Sequence, residues 1–243
     1  MGDDGRRVDA VTFDFWNTLV SEVGGESMAA RRDAWFQRFA AAGLEVEAER
    51  IESSFAMAWN DYSVAWERNE QYTPARAARR ALAHLDLSLE PATVDELVDL
   101  FVMATDGLRP DLCPGVAHAL TDLSDRGLLI GIICDVGFTP SPILRDWLDA
   151  HGVLKFFTGW SFSDEVGWFK PAPEIFAHAL AYLAVPPHRV AHVGDLRRTD
   201  VAGARSAGLI SVRYRGAYDD ASELAEADIV LDHHEDLVSS LGL

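Results

Sequence analysis

The stretch Val8-Asp-Ala-Val-Thr-Phe-Asp14, with the residues that follow it, Phe15-Trp-Asn-Thr-Leu19, decides the fold class of this chain. The run from Val8 to Phe15 is short, β-branched and aromatic, which is typical of a buried strand rather than of a helix. Its apolar part ends in a carboxylate. We therefore predict a buried first strand that carries an acidic side chain, Asp14, at its carboxyl end.

The pattern changes completely after this strand. From Ser27 to about Asp106 the sequence predicts no strand, and apolar residues recur at three- and four-residue spacing, as in amphipathic helices. The third predicted helix has Thr73 as its N-cap and Pro74 at its first helical position. The four predicted helices cover about 27–42, 46–69, 73–87 and 91–104.

Strands and helices alternate in the rest of the chain. The predicted strands are 128–134, 156–160, 190–193, 210–212 and 229–231, and the predicted helices between them are 115–126, 142–150, 173–183 and 201–207. Such alternation predicts a Rossmann-like parallel sheet with helices on both faces, an α/β fold. We expect residues 1–20 and 107–243 to form this core domain, with residues 21–106 inserted into it as a four-helix bundle.

Net charge and cysteine content indicate which kinds of partner to exclude and in which compartment the protein is expected. The 243 residues include 21 Lys and Arg against 39 Asp and Glu, a net charge of −18. Such a field repels nucleic acid and anionic membrane surfaces, so we expect neither as a partner. Two cysteines without a Cys-x-x-Cys spacing and no long apolar segment predict a cytoplasmic protein. The acidic stretch after Arg215 is expected to be a solvated face.

Polar residues follow four of the predicted strands, and ligands of open α/β sheets bind beyond the carboxyl ends of the strands. These segments are Asp14-Phe-Trp-Asn-Thr-Leu19, Cys134-Asp135, Lys170-Pro171, and Gly194-Asp195 with Thr199-Asp200. In this order they resemble the haloacid dehalogenase (HAD) superfamily of hydrolases. The resemblance spans the whole α/β part, and the inserted helices look like the helical cap of the C1 class.

Three carboxylates, those of Asp14, Asp195 and Asp200, are predicted to crowd one site. Like charges in a semi-buried site are costly unless a hard cation neutralises them, and Mg²⁺ prefers oxygen ligands. The resemblance implies that Asp14 is the nucleophile and that Asp14, the Trp16 backbone carbonyl and Asp195 bind the metal. Asp200 then holds metal waters or Lys170. Taken alone, Asp14 is also compatible with a turn cap, and the other two with helix caps.

Lys170 is one of only two lysines in the chain, the other being Lys155. A lysine before a proline is ordinarily a solvated loop charge. Lys170 stands, however, in a segment close to the Gly-x-x-Lys-Pro segment of the superfamily. Its implied task is to offset the Asp14 carboxylate and to bind phosphoryl oxygens, where a compact ammonium fits better than a guanidinium.

Cys134 and Asp135 occupy the predicted phosphate-binding turn. In the superfamily these positions usually carry Ser or Thr and, in this class, Asn. Backbone N–H groups of residues 134–137 are expected to bind phosphoryl oxygens. A buried cysteine at a strand end is most often a packing residue, and Asp135 is also compatible with a simple turn.

Trp16 is the main departure from the resemblance. In the phosphatases of the superfamily an Asp two residues after the nucleophile protonates the leaving alkoxide and later activates water, worth roughly 10²- to 10⁴-fold. Indole does neither. Dehalogenases have Tyr at this position, phosphonate-cleaving members Ala and ion-pumping ATPases Thr. A good leaving group, or a substitute acid such as Asp135 or a cap residue, is the remaining route to turnover.

Three functions are compatible with these residues. The first is a Mg²⁺-dependent phosphatase of a small phosphorylated metabolite, acting through an aspartyl-phosphate intermediate on Asp14. The second is a 2-haloacid dehalogenase, against which stands Asp195, because dehalogenases of this fold work without metal. The third is a catalytically weak phosphate-binding or regulatory protein that lost its acid at Trp16. We expect a monomer or a homodimer.

Overall fold

The computed structural model describes residues 8–21 and 25–243; residues 1–7 and 22–24, which fall in the predicted core and helical domains, lie outside the described residues. The described residues contain six strands: β1 (Ala10–Phe13), β2 (Leu129–Cys134), β3 (Gly159–Phe162), β4 (Val190–Gly194), β5 (Ile210–Tyr214) and β6 (Ile229–Leu231). They form one parallel sheet in the order β3-β2-β1-β4-β5-β6. This is the order of a doubly wound fold, so the predicted α/β class is confirmed.

The first strand occupies the centre of the sheet. All four residues of β1 are buried, as expected of a strand that is covered on both faces and therefore apolar along its whole length. Phe13, its last residue, lies in register with Ile132 of β2 on one side and with Val193 of β4 on the other. Because the chain leaves β1 between its two neighbours, Asp14 emerges at the point where the strand order reverses.

In the part of the chain that the structure describes, four helices lie between β1 and residue 110, as predicted. They are α1 (Glu26–Ala41), α2 (Ala48–Glu67), α3 (Pro74–Leu85) and α4 (Pro91–Met103). The Thr73 hydroxyl accepts a hydrogen bond from the Arg76 N–H at 3.2 Å, so the predicted cap of α3 is present. Trp35, Phe55 and Phe101 pack ring against ring, with centroids 4.8 to 5.7 Å apart, in the core of this bundle.

The remaining described helices come after residue 110. They are α5 (Val116–Asp125), α6 (Ser141–Ala150), α7 (Ser163–Val166), α8 (Pro173–Leu183), α9 (Ala202–Ser206) and α10 (Leu237–Ser240). A π-helical turn, Arg197–Val201, precedes α9, so the helix expected to start at residue 201 starts four residues earlier. Among the described residues, no helix has the length and hydropathy of a membrane span.

The chain divides into two compact units. One comprises Pro110–Asp135, Leu148–Leu243 and the described part of Met1–Ser21; the other comprises Val136–Trp147 and the described part of Glu22–Arg109. Within the second unit, the buried Arg31 of α1 donates hydrogen bonds to the Phe138 carbonyl at 2.9 Å and to the Thr139 hydroxyl at 3.0 Å. These bonds attach the segment after residue 135 to the helical bundle. The domain ranges derived from the sequence stay a prediction.

The third strand starts later than the sequence indicates. Residues 156–160 were expected as a strand, but Leu154–Phe156 form a 3₁₀ turn and β3 begins at Gly159. The Tyr182 ring lies against the backbone of Gly159 and of its neighbour in register, Gly131; a Cβ at Gly159 would approach that ring to 2.6 Å. The two glycines therefore fix where β2 and β3 pair, a constraint that local apolarity does not reveal.

Candidate active site

Asp14 lies directly after β1 and is 5% exposed. Its N–H donates to the Val193 carbonyl at 2.7 Å, which extends the β1–β4 ladder by one residue and fixes the backbone of Asp14. The chain then turns at Asn17, which has φ 55° and donates its N–H to the Val20 carbonyl at 2.8 Å. Asn tolerates this left-handed conformation, so the tight turn forms without glycine.

Lys170 joins two of the predicted acidic residues. Its Nζ lies 2.5 Å from Asp14 Oδ1 and 2.7 Å from Asp200 Oδ1, and the lysine is 2% exposed. Burial alone lowers the pKa of Lys170, but the Asp14 and Asp200 carboxylates outweigh burial and hold that pKa well above its ordinary value. The ammonium therefore stays charged inside the site.

Asp195 and Asp200 complete a cluster of three carboxylates with Asp14. One oxygen of each lies within 4.8 Å of the other two, and all three residues are buried. Asp195 follows β4, and Asp200 lies on the π-helical turn after it. Gly194 makes this approach possible, because a Cβ there would lie 2.2 Å from Asp200 Cγ.

The electrostatics of the cluster are unbalanced. Burial raises the pKa of Asp14 to about 7, despite the opposing effect of Lys170. Burial, and then repulsion from Asp14 and Asp200, raises the pKa of Asp195 well above its ordinary value. Three buried carboxylates share one ammonium, and carboxylate oxygens are the donors that hard divalent cations bind. The donor set therefore fits such a cation.

Asp200 differs from the other two carboxylates because its oxygens are engaged. Oδ1 contacts Lys170 and, at 3.0 Å, His192 Nε2; Oδ2 accepts from Leu196 N–H at 3.1 Å and from the Thr199 hydroxyl at 3.2 Å. Burial favours the protonated acid, but Lys170 and His192 outweigh it and hold the pKa of Asp200 below its ordinary value. This carboxylate is an ionised acceptor that orients its neighbours.

His192 and Thr12 support the site and were not predicted from the sequence. They face each other in register on β4 and β1, with the Thr12 hydroxyl 2.9 Å from His192 Nδ1. Burial lowers the pKa of His192, so a neutral ring donates Nε2–H to Asp200 and accepts at Nδ1. The available signal was a polar residue in the middle of each of two apolar strands.

Cys134 is the last residue of β2, and Asp135 directly follows it. Cys134 is fully buried, and burial, with a smaller contribution from Asp14, raises the pKa of its thiol well above the ordinary value, so the thiol is neutral. Asp135 Oδ1 accepts a hydrogen bond from the backbone N–H of Lys170 at 2.9 Å. Asp135 thus attaches the lysine segment to the end of β2.

The structure brings together the side chains of four predicted site residues: Asp14, Lys170, Asp195 and Asp200. Trp16 is partly buried, with its ring packed edge-on against Phe15 at 5.3 Å. The roles of the Trp16 carbonyl in metal binding and of Cys134 and Asp135 in phosphate binding stay predictions.

Asn17 contributes a contact that the sequence did not reveal. Its Nδ2 lies 3.4 Å from Asp195 Oδ2, so the residue that makes the turn after β1 also contacts the acid after β4. Within this unit, the segments after β1 and β4 therefore meet at two places: the clustered carboxylates, and the contact of the Asn17 amide with Asp195.

This chain is similar to known proteins both in fold and, at 27% identity or less among those named here, in sequence. Residues 8–208 match the haloacid dehalogenase-like hydrolases. A phosphoglycolate phosphatase of Salmonella choleraesuis is 27% identical over 242 residues, which are 98% of this chain and 94% of that protein. The crystal structure of a 2-haloacid dehalogenase from Pseudomonas syringae has a TM-score of 0.73 at 21% identity, covering 97% of this chain and 98% of that chain.

A HAD phosphatase from Thermococcus onnurineus has a TM-score of 0.68 at 22% identity, and the similarity covers 97% of this chain and 98% of that chain. At these identities the solved structures show the fold that the chains share. The family match extends over most of the sequence, from the first strand to the end of the segment that carries Asp195 and Asp200. This chain therefore belongs to the haloacid dehalogenase-like hydrolase family.

Proposed function

We propose that this hydrolase is a Mg²⁺-dependent phosphatase that cleaves the monoester of a small phosphorylated metabolite through an aspartyl-phosphate intermediate on Asp14. The observation that carries the proposal is the convergence of Asp14, Asp195 and Asp200, with carboxylate oxygens within 4.8 Å of one another, around the buried Lys170 ammonium. Displacement of a halide from carbon needs no divalent cation, so it gives no reason to place Asp195 beside Asp14. Phosphoryl transfer, in contrast, is assisted by a divalent cation that neutralises charge on the phosphoryl oxygens, and clustered carboxylates would hold such a cation.

The first step is attack of an Asp14 carboxylate oxygen on phosphorus. The new O–P bond forms while the bond from phosphorus to the leaving oxygen breaks, and the leaving oxygen takes the electron pair. In the second step a water oxygen attacks the same phosphorus, and the Asp14–phosphorus bond breaks. Inorganic phosphate leaves, the Asp14 carboxylate is restored, and the proton of water passes to solvent.

The residues of this chain prepare both steps. The Lys170 ammonium contacts the nucleophile, Asp14. Its positive charge stabilises the ionised form of Asp14 and the negative charge that develops on the phosphoryl oxygens. Asp200 orients Lys170 through Oδ1. Mg²⁺, bound by Asp14, Asp195 and the Trp16 carbonyl, would supply further charge neutralisation at these oxygens.

The leaving group decides how well such a site works. Trp16 donates no proton to an alkoxide, so we expect turnover to favour monoesters whose leaving oxygen is already weakly basic. A catalytically weak phosphate-binding protein is the second candidate function, and the indole at position 16 is the observation that favours it. The phosphoglycolate phosphatases among the relatives make 2-phosphoglycolate the first metabolite to try.

The test measures phosphate release and halide release with and without Mg²⁺. The substrates are p-nitrophenyl phosphate, 2-phosphoglycolate and 2-chloropropionate. We expect Mg²⁺-dependent phosphate release that falls by about 10³-fold or more in Asp14→Asn, because the nucleophile is lost. Asp125→Asn, an exposed position on α5 of the same unit, is the matched control and should keep full activity.

Two results would overturn the proposal. Halide release without metal would assign the dehalogenase reaction. Tight Mg²⁺ binding without turnover of any phosphate ester would assign the binding function instead.

A further inference from the structure

The acidic stretch after Arg215 is not simply a solvated face, contrary to the expectation from its composition. Residues 219–226, here called the acidic loop, contact the turn that follows β4. Asp220 Oδ2 accepts a hydrogen bond from the backbone N–H of Arg197 at 2.7 Å. The Arg197 guanidinium in turn donates to the Asp220 carbonyl at 2.7 Å and to Glu226 Oε2 at 2.9 Å.

The same loop is fixed to the sheet through Arg213 at the end of β5. Arg213 is 2% exposed, and its guanidinium binds both oxygens of Glu226, at 2.7 and 2.8 Å, and Asp219 at 2.7 Å. Arg213 lies in register with Gly194, the residue that precedes Asp195. Bidentate arginine–carboxylate pairs are geometrically specific, so Glu226 has a defined position relative to the end of β4.

The turn between Asp195 and Asp200 is therefore held by two carboxylates through consecutive amides. Leu196 N–H donates to Asp200 Oδ2, and Arg197 N–H donates to Asp220 Oδ2. Asp220 itself is 8% exposed, and its second oxygen accepts from Ser222 N–H at 2.8 Å. A buried acceptor engaged in this way leaves the backbone of the turn little freedom.

Holding this turn matters because Asp195 and Asp200, at its two ends, supply two of the three clustered carboxylates, whose oxygens lie within 4.8 Å of one another. Both are buried, and the Asp200 carboxylate opposes ionisation of Asp195. Groups behind the ligands that fix their position raise metal affinity because less reorganisation accompanies binding.

We propose that Asp220 and Glu226 are positioning residues of the divalent cation site: through Arg197 and Arg213 they hold the Asp195–Asp200 turn in the geometry that binds the ion. The inference rests on the proposed function, since it requires that the carboxylate cluster binds Mg²⁺. The acidic loop acts on the site through the backbone amide of Arg197, so it contributes to affinity for the metal and contacts neither metal nor substrate.

The experiment measures Mg²⁺ binding to the whole protein by titration calorimetry, without substrate. Asp220→Ala should weaken binding by about 10- to 100-fold, as is typical when support of a metal ligand is lost. Asp220→Asn keeps an oxygen that accepts from Arg197 N–H and should recover part of this loss. Glu226→Gln should weaken binding less than Asp220→Ala. Glu223→Gln, an exposed residue of the same loop, is the matched control and should leave affinity unchanged.

Hydrogen exchange of the metal-free protein provides a readout besides affinity. Amides of residues 195–201 should exchange faster in Asp220→Ala and in Glu226→Gln than in the wild type or in Glu223→Gln. If Asp220→Ala does not fold, Glu226→Gln and Asp220→Asn carry the test. Wild-type affinity in folded variants would overturn the inference, whereas a wild-type protein that binds no Mg²⁺ would overturn the proposed function itself.

Discussion

Two charged clusters lie at the ends of neighbouring strands and differ in how their charges are balanced. The carboxylate cluster, at the ends of β1 and β4, is Asp14, Asp195 and Asp200 with Lys170. The arginine cluster, at the end of β5 and in the turn after β4, is Arg197 and Arg213 with Asp219, Asp220 and Glu226. The first contains one cation for three buried acids. The second contains two guanidiniums for three acids, of which Asp219 and Glu226 have side chains 63% and 41% exposed.

The pKa directions record this difference. Burial raises the pKa of Asp14 and of Asp195, whereas hydrogen bonds from Arg213 lower the pKa of Glu226 and those from the Arg197 and Ser222 amides lower that of Asp220. An accumulation of acidic residues is therefore not in itself a metal site. What distinguishes the carboxylate cluster is burial without enough counter-charge, which a divalent cation would supply.

The largest expected effect comes from adding a general acid that can protonate the leaving oxygen, which Trp16 cannot do. Trp16→Asp places a carboxyl group two residues after the nucleophile, and we expect the rate with 2-phosphoglycolate or another alkyl phosphate to rise by about 10²- to 10⁴-fold. Hydrolysis of p-nitrophenyl phosphate should change far less, because its leaving oxygen needs no proton. The measurement is kcat for both substrates in the wild type and the variant.

Trp16→Asn is the matched control for this gain. It removes the indole and opens the same space without an acidic proton, so its rate with the alkyl phosphate should stay at the wild-type level. An equal gain in both variants would show that the bulk of Trp16, and not the absence of an acid, limits turnover.

Much of the carboxylate cluster was predictable because its members obey a local rule. Each lies in a segment that follows a strand of the sheet, and the carboxyl ends of parallel strands meet at one edge of the sheet. On that basis, and from the resemblance to the HAD superfamily, Asp14, Asp195, Asp200 and Lys170 were predicted to share one site, and their side chains do meet. The C1 type of the helical cap stays a prediction.

The supporting contacts were not predictable because they depend on pairing across the sheet. The contact of Thr12 with His192 follows from the register of β1 against β4, and the position of β3 follows from two glycines that face Tyr182. Register is a property of the packed sheet and is not carried by either strand alone. The arginine cluster was missed for the same reason, since the composition of the acidic loop gave no indication that Arg213 would lie beneath it.

A smaller effect is expected on stability when Mg²⁺ is added. An ion that binds only the folded protein stabilises it by about 2.7 kcal/mol at a concentration 100 times its dissociation constant. We expect this gain in urea unfolding of the wild type and its loss in Asp195→Asn. Asp219→Asn removes an equal charge from the arginine cluster and should keep the gain, so loss in both variants would contradict a distinction between the clusters.

The smallest expected effect is a difference in the sign of pH dependence. In metal-free protein Asp14 has a pKa of about 7 against an ordinary value of 3.8, so the folded state holds this proton more tightly than the unfolded state. Stability from this group therefore rises as pH falls through 7. Between pH 8 and pH 6 the gain is about 1.4 kcal/mol, the free energy of one pKa unit. Glu226 and Asp220, with lowered pKa values, contribute stability that is lost only in more acidic solution.

Histidine opposes this gain and has to be separated from it. Burial lowers the pKa of His234 to about 4, so this residue destabilises the fold as pH falls below the ordinary histidine value of 6.5. The informative quantity is thus the difference in unfolding free energy between the wild type and Asp14→Asn/Asp195→Asn, in which the His234 contribution cancels. The unfolding free energy of the wild type minus that of the variant should become more positive by about 1.4 kcal/mol or more from pH 8 to pH 6. A difference independent of pH would show that the carboxylate cluster, like the arginine cluster, is already balanced without a metal.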